Sequence, residues 1–344
     1  MTVLPDQKSP QSDFLSELKN RLHLENLLQS TLITKTDEGQ EIIQGLSNPQ
    51  KSIPSRYFYD DRGSILFEQI CDLPEYYPTR TEASILQQYA LEIAESIGSC
   101  ELVELGSGSS TKTRILFDAY HQLGCPLRYV PVDVSGAILE TSAQQLLTDY
   151  PNLEVSGLVS TYDLALKQLK TRCSMPRTIA FLGSTLGNFS PEQCDHFLSQ
   201  VTSALTAGDY FLLGIDLQKP INIIEAAYND SQGVTAAFNL NSLNHLNWRF
   251  EGNFSLNLFE HRAIYNHHLN RIEMYLVCLR SHQVRLEKLD LTVELTAGEA
   301  ILTEISCKFN LTEIKHKLAQ QGLKFVKAWT DDQQWFGLCL GQMQ

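Results

Sequence analysis

The segment ELVELGSGSSTKT, residues 101–113, decides the fold. Glu101–Leu105 is a short apolar run of the kind that forms a buried strand. It breaks at Gly106-Ser107-Gly108, and a helix is expected over Ser109–Leu123. Glycines at such a junction let the chain turn tightly and bring backbone N–H groups close to a ligand at a helix N-terminus. A dinucleotide loop wants GxGxxG, and Thr111 stands where the third glycine would be; the GK[ST] of a phosphate-binding loop is also missing.

Working outward, the alternation of strand and helix continues. Residues 128–133, RYVPVD, read as a strand ending at Asp133, twenty-seven residues beyond Gly106. An acid at that place can accept both hydroxyls of a ribose, and the competing role is a helix N-cap. Glu104, two residues before Gly106, is placed as acids are in the first motif of methyltransferases. Ile138–Tyr150 reads as a helix stopped by Pro151, and Thr178–Leu182 as a strand. Ser190, Pro191 and Gln193 open a further helix as N-cap, N1 proline and capping-box partner, and Tyr210–Ile215 is the next strand. Such alternation implies right-handed βαβ units and a parallel sheet.

Upstream, residues 13–30 read as a helix with Phe14, Leu18, Leu22 and Leu28 among its apolar positions. Residues 51–79 are dense in aromatic, Pro and Asp residues and follow no simple period. Thr79 and Glu82 are spaced as a capping box before Leu86, Tyr89, Ile93 and Ile97, with Gly98 as the stop. Downstream, residues 218–308 break the alternation. A helical stretch holds Ala226-Ala227-Tyr228, and residues 259–286 read as antiparallel hairpin strands with His267-His268 in a solvated turn. Asn310 and Glu313 then cap a helix ending at Gly322, and two close strands follow, Leu323–Trp329 and Trp335–Leu340.

Twenty-seven basic against forty acidic residues give a net charge of −13 over 344 residues. This disfavours nucleic acid and anionic membranes as partners and favours a small-molecule substrate. The expected state is a monomer. The eight cysteines include no CxxC pair, and neither they nor the nine histidines show metal-ligand spacing, so no metal is expected. The residues 1–14, MTVLPDQKSPQSDF, lack the basic and apolar regions of a secretory signal, and no apolar run reaches membrane-spanning length. Buried free thiols fit a reducing compartment, so the expected location is cytoplasmic.

Five ordered blocks carry a specific resemblance: SRYFYDDRGSILFEQICDLPEYYPTRTEA, ELVELGSGSSTKTR, FLGSTLGNFSP, YNDSQGVTAAFNLN and LTEISCKF. From about Pro54 to the C-terminus the sequence resembles the histidine Nα-methyltransferase family of ergothioneine biosynthesis. The resemblance implies an α/β fold: a Rossmann-like class I sheet that binds S-adenosyl-L-methionine as methyl-donor cosubstrate, over residues 80–217 and 309–344. A second, α+β substrate-binding domain is then built from residues 1–79 and the insertion 218–308. It also implies trimethylation of the α-amine of L-histidine, by way of its mono- and dimethyl forms, to hercynine.

Matching within these blocks, the resemblance places Gly106, Lys112 and Asp133 at the cofactor. Thr161-Tyr162 stands where the family carries an Asp and an aromatic residue; the Tyr162 ring is expected against adenine. Asn188 and Tyr228 match positions at the substrate carboxylate, Gly183 and Tyr59 positions at the α-amine, and Tyr76, Glu304 and Ser306 positions at the imidazole. Each residue alone has a plainer account: a core tyrosine, a loop cap, a solvated acid. Methyl transfer from a sulfonium is an in-line displacement, so Tyr59 and Gly183 are expected to position a neutral amine within roughly 3–3.5 Å of the methyl carbon. A family member acting on a tryptophan derivative is the nearest alternative, against which Glu304 and Ser306 argue, because an indole would leave a buried acid unpaired. A non-catalytic cofactor-binding regulator would need no amino-acid site, and the missing third glycine disfavours a dehydrogenase.

Overall fold

The computed structural model describes residues 20–30, 39–170 and 175–344. Its strands are β1 (Leu22–Asn26), β2 (Cys100–Leu105), β3 (Leu127–Asp133), β4 (Glu154–Val159), β5 (Arg177–Phe181), β6 (Tyr210–Asp216), β7 (Phe259–Asn266), β8 (Arg271–Cys278), β9 (His282–Leu286), β10 (Leu291–Leu295), β11 (Ala300–Cys307), β12 (Leu323–Thr330) and β13 (Phe336–Met343). Eight of them form one sheet in the order β1-β4-β3-β2-β5-β6-β13-β12. Pairing is parallel from β1 to β6, and β13 then pairs antiparallel with both β6 and β12. This is a Rossmann-like α/β sheet closed by a C-terminal hairpin, the architecture that the resemblance implies.

The inner strands of this sheet are buried on both faces, which is why β2, β5 and β6 are near-continuous buried runs rather than alternating. Every residue of β2 and β5 is buried. Alternate residues feed two separate cores. Leu102, Tyr129, Ala180 and Leu212 pack with Ile85, Leu86, Ile93 and Leu116. Val103, Val130, Ile179 and Phe211 pack with Phe197, Leu198, Val201 and Leu318 on the other face. The helix Pro191–Ser203 opens with the expected capping box, Ser190 and Gln193 bonding reciprocally.

A second domain carries the three-stranded antiparallel sheet β11-β8-β7 and the β9–β10 pair. The helices Ile221–Tyr228 and Val234–Phe250 pack on it, and Ile42, Leu46, Ile53 and Tyr57 join its core. Residues 51–79 prove to hold a short 3-10 turn, Ser55–Phe58, and a helix, Asp61–Cys71, that no period announced. Asp60 caps that helix by accepting from the Gly63 N–H at 2.7 Å.

Three expectations are corrected. Residues 20–30 are not one helix: Leu22–Asn26 is an edge strand of the main sheet, in parallel register with Val155–Val159, and Leu27–Ser30 is a single helical turn after it. Leu22 and Leu24 alternate as a strand requires, and Gly157 leaves room for the Leu24 side chain where a Cβ would lie 2.7 Å from it. This part of the stretch 1–79 therefore joins the main sheet rather than the second domain; residues 13–19 lie outside the described residues. The helix expected from Ser109 begins at Thr113, because Ser110 takes a left-handed φ of 55°. Thr79 and Glu82 form no cap: the helix Tyr77–Ile97 starts earlier, with Pro78 in its first turn, and Glu82 is buried inside it.

Candidate active site

The cofactor side is built mainly from backbone. Gly106 adopts φ 75° beside the Tyr162 hydroxyl, which lies 2.8 Å from where a Cβ would stand, so only glycine fits. Next to it, Gly108 faces open space. Asp133 ties the two loops together, accepting from the N–H of Gly108 at 2.9 Å and of Ser135 at 2.9 Å. The cap of the following helix is Ser135, not Asp133. Each carboxylate oxygen of Asp133 retains a lone pair for a ribose hydroxyl. Tyr162 packs edge-on against Phe181 at 5.3 Å, and burial followed by the Asp133 charge raises its hydroxyl above the ordinary range. Thr161 is the exposed residue just before the helix Tyr162–Gln168, and its side chain makes no cap. Glu104 lies beneath the loop, fully buried against Thr113 (2.6 Å) and Tyr129; burial pushes its carboxyl up to about 7 despite both bonds. These groups fit an adenosyl cosubstrate: an open glycine turn, an acid at its rim and an aromatic ring beside it.

On the substrate side, Tyr59, Phe67, Tyr76, Tyr228 and Phe238 form a chain of ring contacts. Tyr59 meets Phe67 at 5.7 Å, Phe67 meets Tyr76 at 6.4 Å, and Tyr76 meets Tyr228 at 6.3 Å. Glu304 stands among them on β11. A bulge at Thr303 shifts the pairing just before it, which aims Glu304 and Ser306 to one face. Burial pushes Glu304 up to about 7, with Lys308 opposing. Its charge reaches Tyr59, Tyr76 and Tyr228, all of which burial first holds above their ordinary values. Tyr59 is 46% exposed over the whole residue, but its hydroxyl end is enclosed, and it is there that burial acts.

The turn after β5 completes the arrangement. Gly187 presses on β11, where a Cβ would lie 2.9 Å from the Cys307 carbonyl, and this brings Asn188 to the strand that carries Ser306. Gly183 takes φ 76° and Ser184 φ 57°, a left-handed pair in which the serine is strained. Ser184 is held by its hydroxyl, which accepts from the Asp216 N–H at 2.8 Å. The structure thus brings Tyr59, Tyr76, Tyr228, Glu304 and Ser306 into one cluster and Gly106, Asp133 and Tyr162 into another.

The profile of a family described as histidine-specific, SAM-dependent methyltransferases matches residues 38–343. This chain belongs to that family. It is 42% identical over 301 residues to the histidine N-alpha-methyltransferase of Mycolicibacterium smegmatis, covering 88% of this chain and 93% of that one. Its identity to the Mycobacterium tuberculosis protein of the same name is 41%, with the same coverage. The ergothioneine biosynthesis protein 1 of Schizosaccharomyces pombe is 29% identical over 300 residues, 84% of this chain but 38% of that longer one.

Within this histidine-specific methyltransferase, four buried charges, Glu82, Asp216, Lys219 and Lys308, back the substrate-side cluster and the turn after β5, and sequence reading gave none of them that place. Glu82, with no exposed surface, accepts from the Gly183 N–H at 2.8 and 3.0 Å and pairs with Lys112. It therefore ties Lys112, at the entry of the helix Thr113–Leu123, to the Gly183 turn. Its position on the apolar stripe with Ile85, Leu86 and Tyr89 was the available signal, since a charge on a core face requires a partner. Asp216, at the end of β6, receives Lys219 at 2.5 Å, Lys308 at 2.8 Å and the Tyr77 hydroxyl at 2.7 Å. Burial alone would raise Asp216, but the two lysines hold it below its usual value. Burial opposes the charge on Lys308, and Asp216 and then Tyr228 more than offset this, keeping it a cation. Among the described residues, no helix is long and apolar enough to cross a membrane.

Proposed function

We propose that this enzyme methylates the α-amine of L-histidine three times to give hercynine, the first step of ergothioneine biosynthesis. The observation that carries this reading is the Glu304–Ser306 pair: an acid and a hydroxyl on one face of β11, with the acid among Tyr59, Tyr76 and Tyr228. Imidazole supplies the N–H and the ring nitrogen that such a pair needs. An apolar side chain would leave both unpaired and be rejected strongly.

Tyr76 lies alongside as the third imidazole partner. Tyr228 and Asn188 hold the α-carboxylate; the Asn188 side chain makes no hydrogen bond among the described residues and is available for it. The Gly183 carbonyl and the Tyr59 hydroxyl face the amine. Glu82 occupies the Gly183 N–H, so this turn offers the substrate its acceptor. Tyr59 cannot serve as a base at neutral pH, because burial and then the Glu304 charge both disfavour its tyrosinate. The amine loses its proton before transfer, and the site positions it rather than deprotonating it. Lys112, the Gly106 turn, Asp133, Thr161 and Tyr162 hold S-adenosylmethionine, whose sulfonium supplies the methyl group. Lys112 is oriented from behind by Glu82.

Incubation with S-adenosylmethionine and each amino acid in turn, followed by mass spectrometry, tests this reading. Trimethylated histidine is the expected product; methylation of another amino acid with histidine untouched would refute it.

A further inference from the structure

Lys308 closes β11 with its side chain wholly buried. Its ammonium donates to Asp216 Oδ2 at 2.8 Å, to Ser306 Oγ at 2.9 Å and to Tyr228 Oη at 3.1 Å. An ammonium has three donors and no acceptor, so its capacity is filled by these bonds. It cannot reach the substrate itself. Both hydroxyls, however, are fixed as acceptors on the side facing Lys308, and each must send its own hydrogen elsewhere. Tyr228 and Ser306 are 7% and 4% exposed, so water is not the general outlet.

We propose that Lys308 is a positioning residue that sets the hydrogen-bond polarity of the amino-acid pocket. It makes Tyr228 a donor to the substrate carboxylate and Ser306 a donor to the unprotonated ring nitrogen. The pocket then selects the neutral imidazole, with its N–H toward Glu304. Before substrate arrives, Ser306 can donate to the neighbouring Tyr228 oxygen, and the ring nitrogen takes over that hydrogen on binding. The inference rests on the assignment of Tyr228 and Ser306 to the substrate made above. It explains why a cation is buried one hydroxyl away from the substrate carboxylate: it acts through Tyr228 and Ser306, and Asp216 balances its charge.

A double-mutant cycle tests it. Lys308→Met is made in the native background and in Tyr228→Phe/Ser306→Ala, with KM for histidine, Kd for S-adenosylmethionine and thermal stability measured in each. In the native background KM should rise about tenfold or more with Kd unchanged, and in the double background by less than about twofold. Equal fold-changes in both backgrounds would overturn the proposal, leaving Lys308 as a structural counter-ion of Asp216. If Tyr228→Phe/Ser306→Ala alone leaves KM at the native value, the underlying contact assignment falls, and the proposal with it. Should Lys308→Met not fold, Glu304→Ala isolates the Ser306 side. There, acceptor-only thiazolylalanine should inhibit about tenfold more tightly than donor-only pyrrolylalanine, and the reverse order would overturn the claim.

Discussion

The proposed cofactor loop and the proposed amino-acid pocket are built by opposite means. The loop of Gly106–Thr113 works through backbone shape: two positive-φ glycines, Gly106 and Gly108, and one carboxylate, Asp133, that pins two turns. The pocket works through side chains that titrate: Glu304 raised to about 7, three tyrosines held as phenols, and Lys308 and Asp216 kept charged against burial. A backbone site tolerates variation around it and leaves a glycine spacing in the sequence. A side-chain site depends on exact complementarity of charge, and its members come from segments far apart in the chain. The cost of error also differs, because removing one partner of a buried charged set strands the others.

The largest effect should come from that stranding. Asp216→Ala leaves Lys308 and Lys219 buried without their shared acid and should destabilise the protein by about 3–5 kcal/mol, read by urea unfolding. A loss below about 1 kcal/mol would mean that the buried set is not mutually dependent.

Smaller, and confined to the other half, is Asp133→Ala. Losing charged hydrogen bonds to a ribose should weaken S-adenosylmethionine binding by about 1.5–3 kcal/mol, with little change in KM for histidine. Calorimetry showing native affinity would reduce Asp133 to a tie between the Gly108 and Ser135 loops.

Smaller again is a pH effect that should belong to the pocket alone. Glu304 has a folded pKa of about 7 against an ordinary 4.5, so the folded protein binds more protons than the unfolded chain between these values. The sign follows: stability in the absence of substrate falls as pH rises through that window and levels off above it. Glu304→Gln should remove this contribution and gain on the order of 1–2 kcal/mol at pH 8. Glu104, also at about 7, contributes a parallel slope that the substitution leaves in place. Identical pH slopes for the variant and the native protein would place Glu304 in solvent.

The same contrast governs what could be read from the sequence. The main sheet was legible because its strands are apolar runs punctuated by glycine, proline and capping residues; Ser190-Pro191-Gln193 folded as written. The edge strand Leu22–Asn26 was not, because its leucines satisfy either period and only the partner strand with Gly157 decides between them. In the proposed cofactor half, Gly106 and Asp133 were singled out from spacing. In the pocket, Tyr59, Tyr76, Tyr228, Glu304 and Ser306 came from resemblance, since nothing local separates a pocket tyrosine from a core one. Glu82 was mistaken for a cap because a capping box and a buried acid three residues along look alike in sequence. Asp216 and Lys308 meet across 92 positions of chain, which no local pattern encodes.

The division of labour between the two halves is most directly tested by Glu304→Ala, with KM for histidine and Kd for S-adenosylmethionine measured on one preparation. The account predicts that KM rises by about tenfold or more while Kd stays within about twofold. An unchanged KM, or an equal rise in both constants, would contradict it.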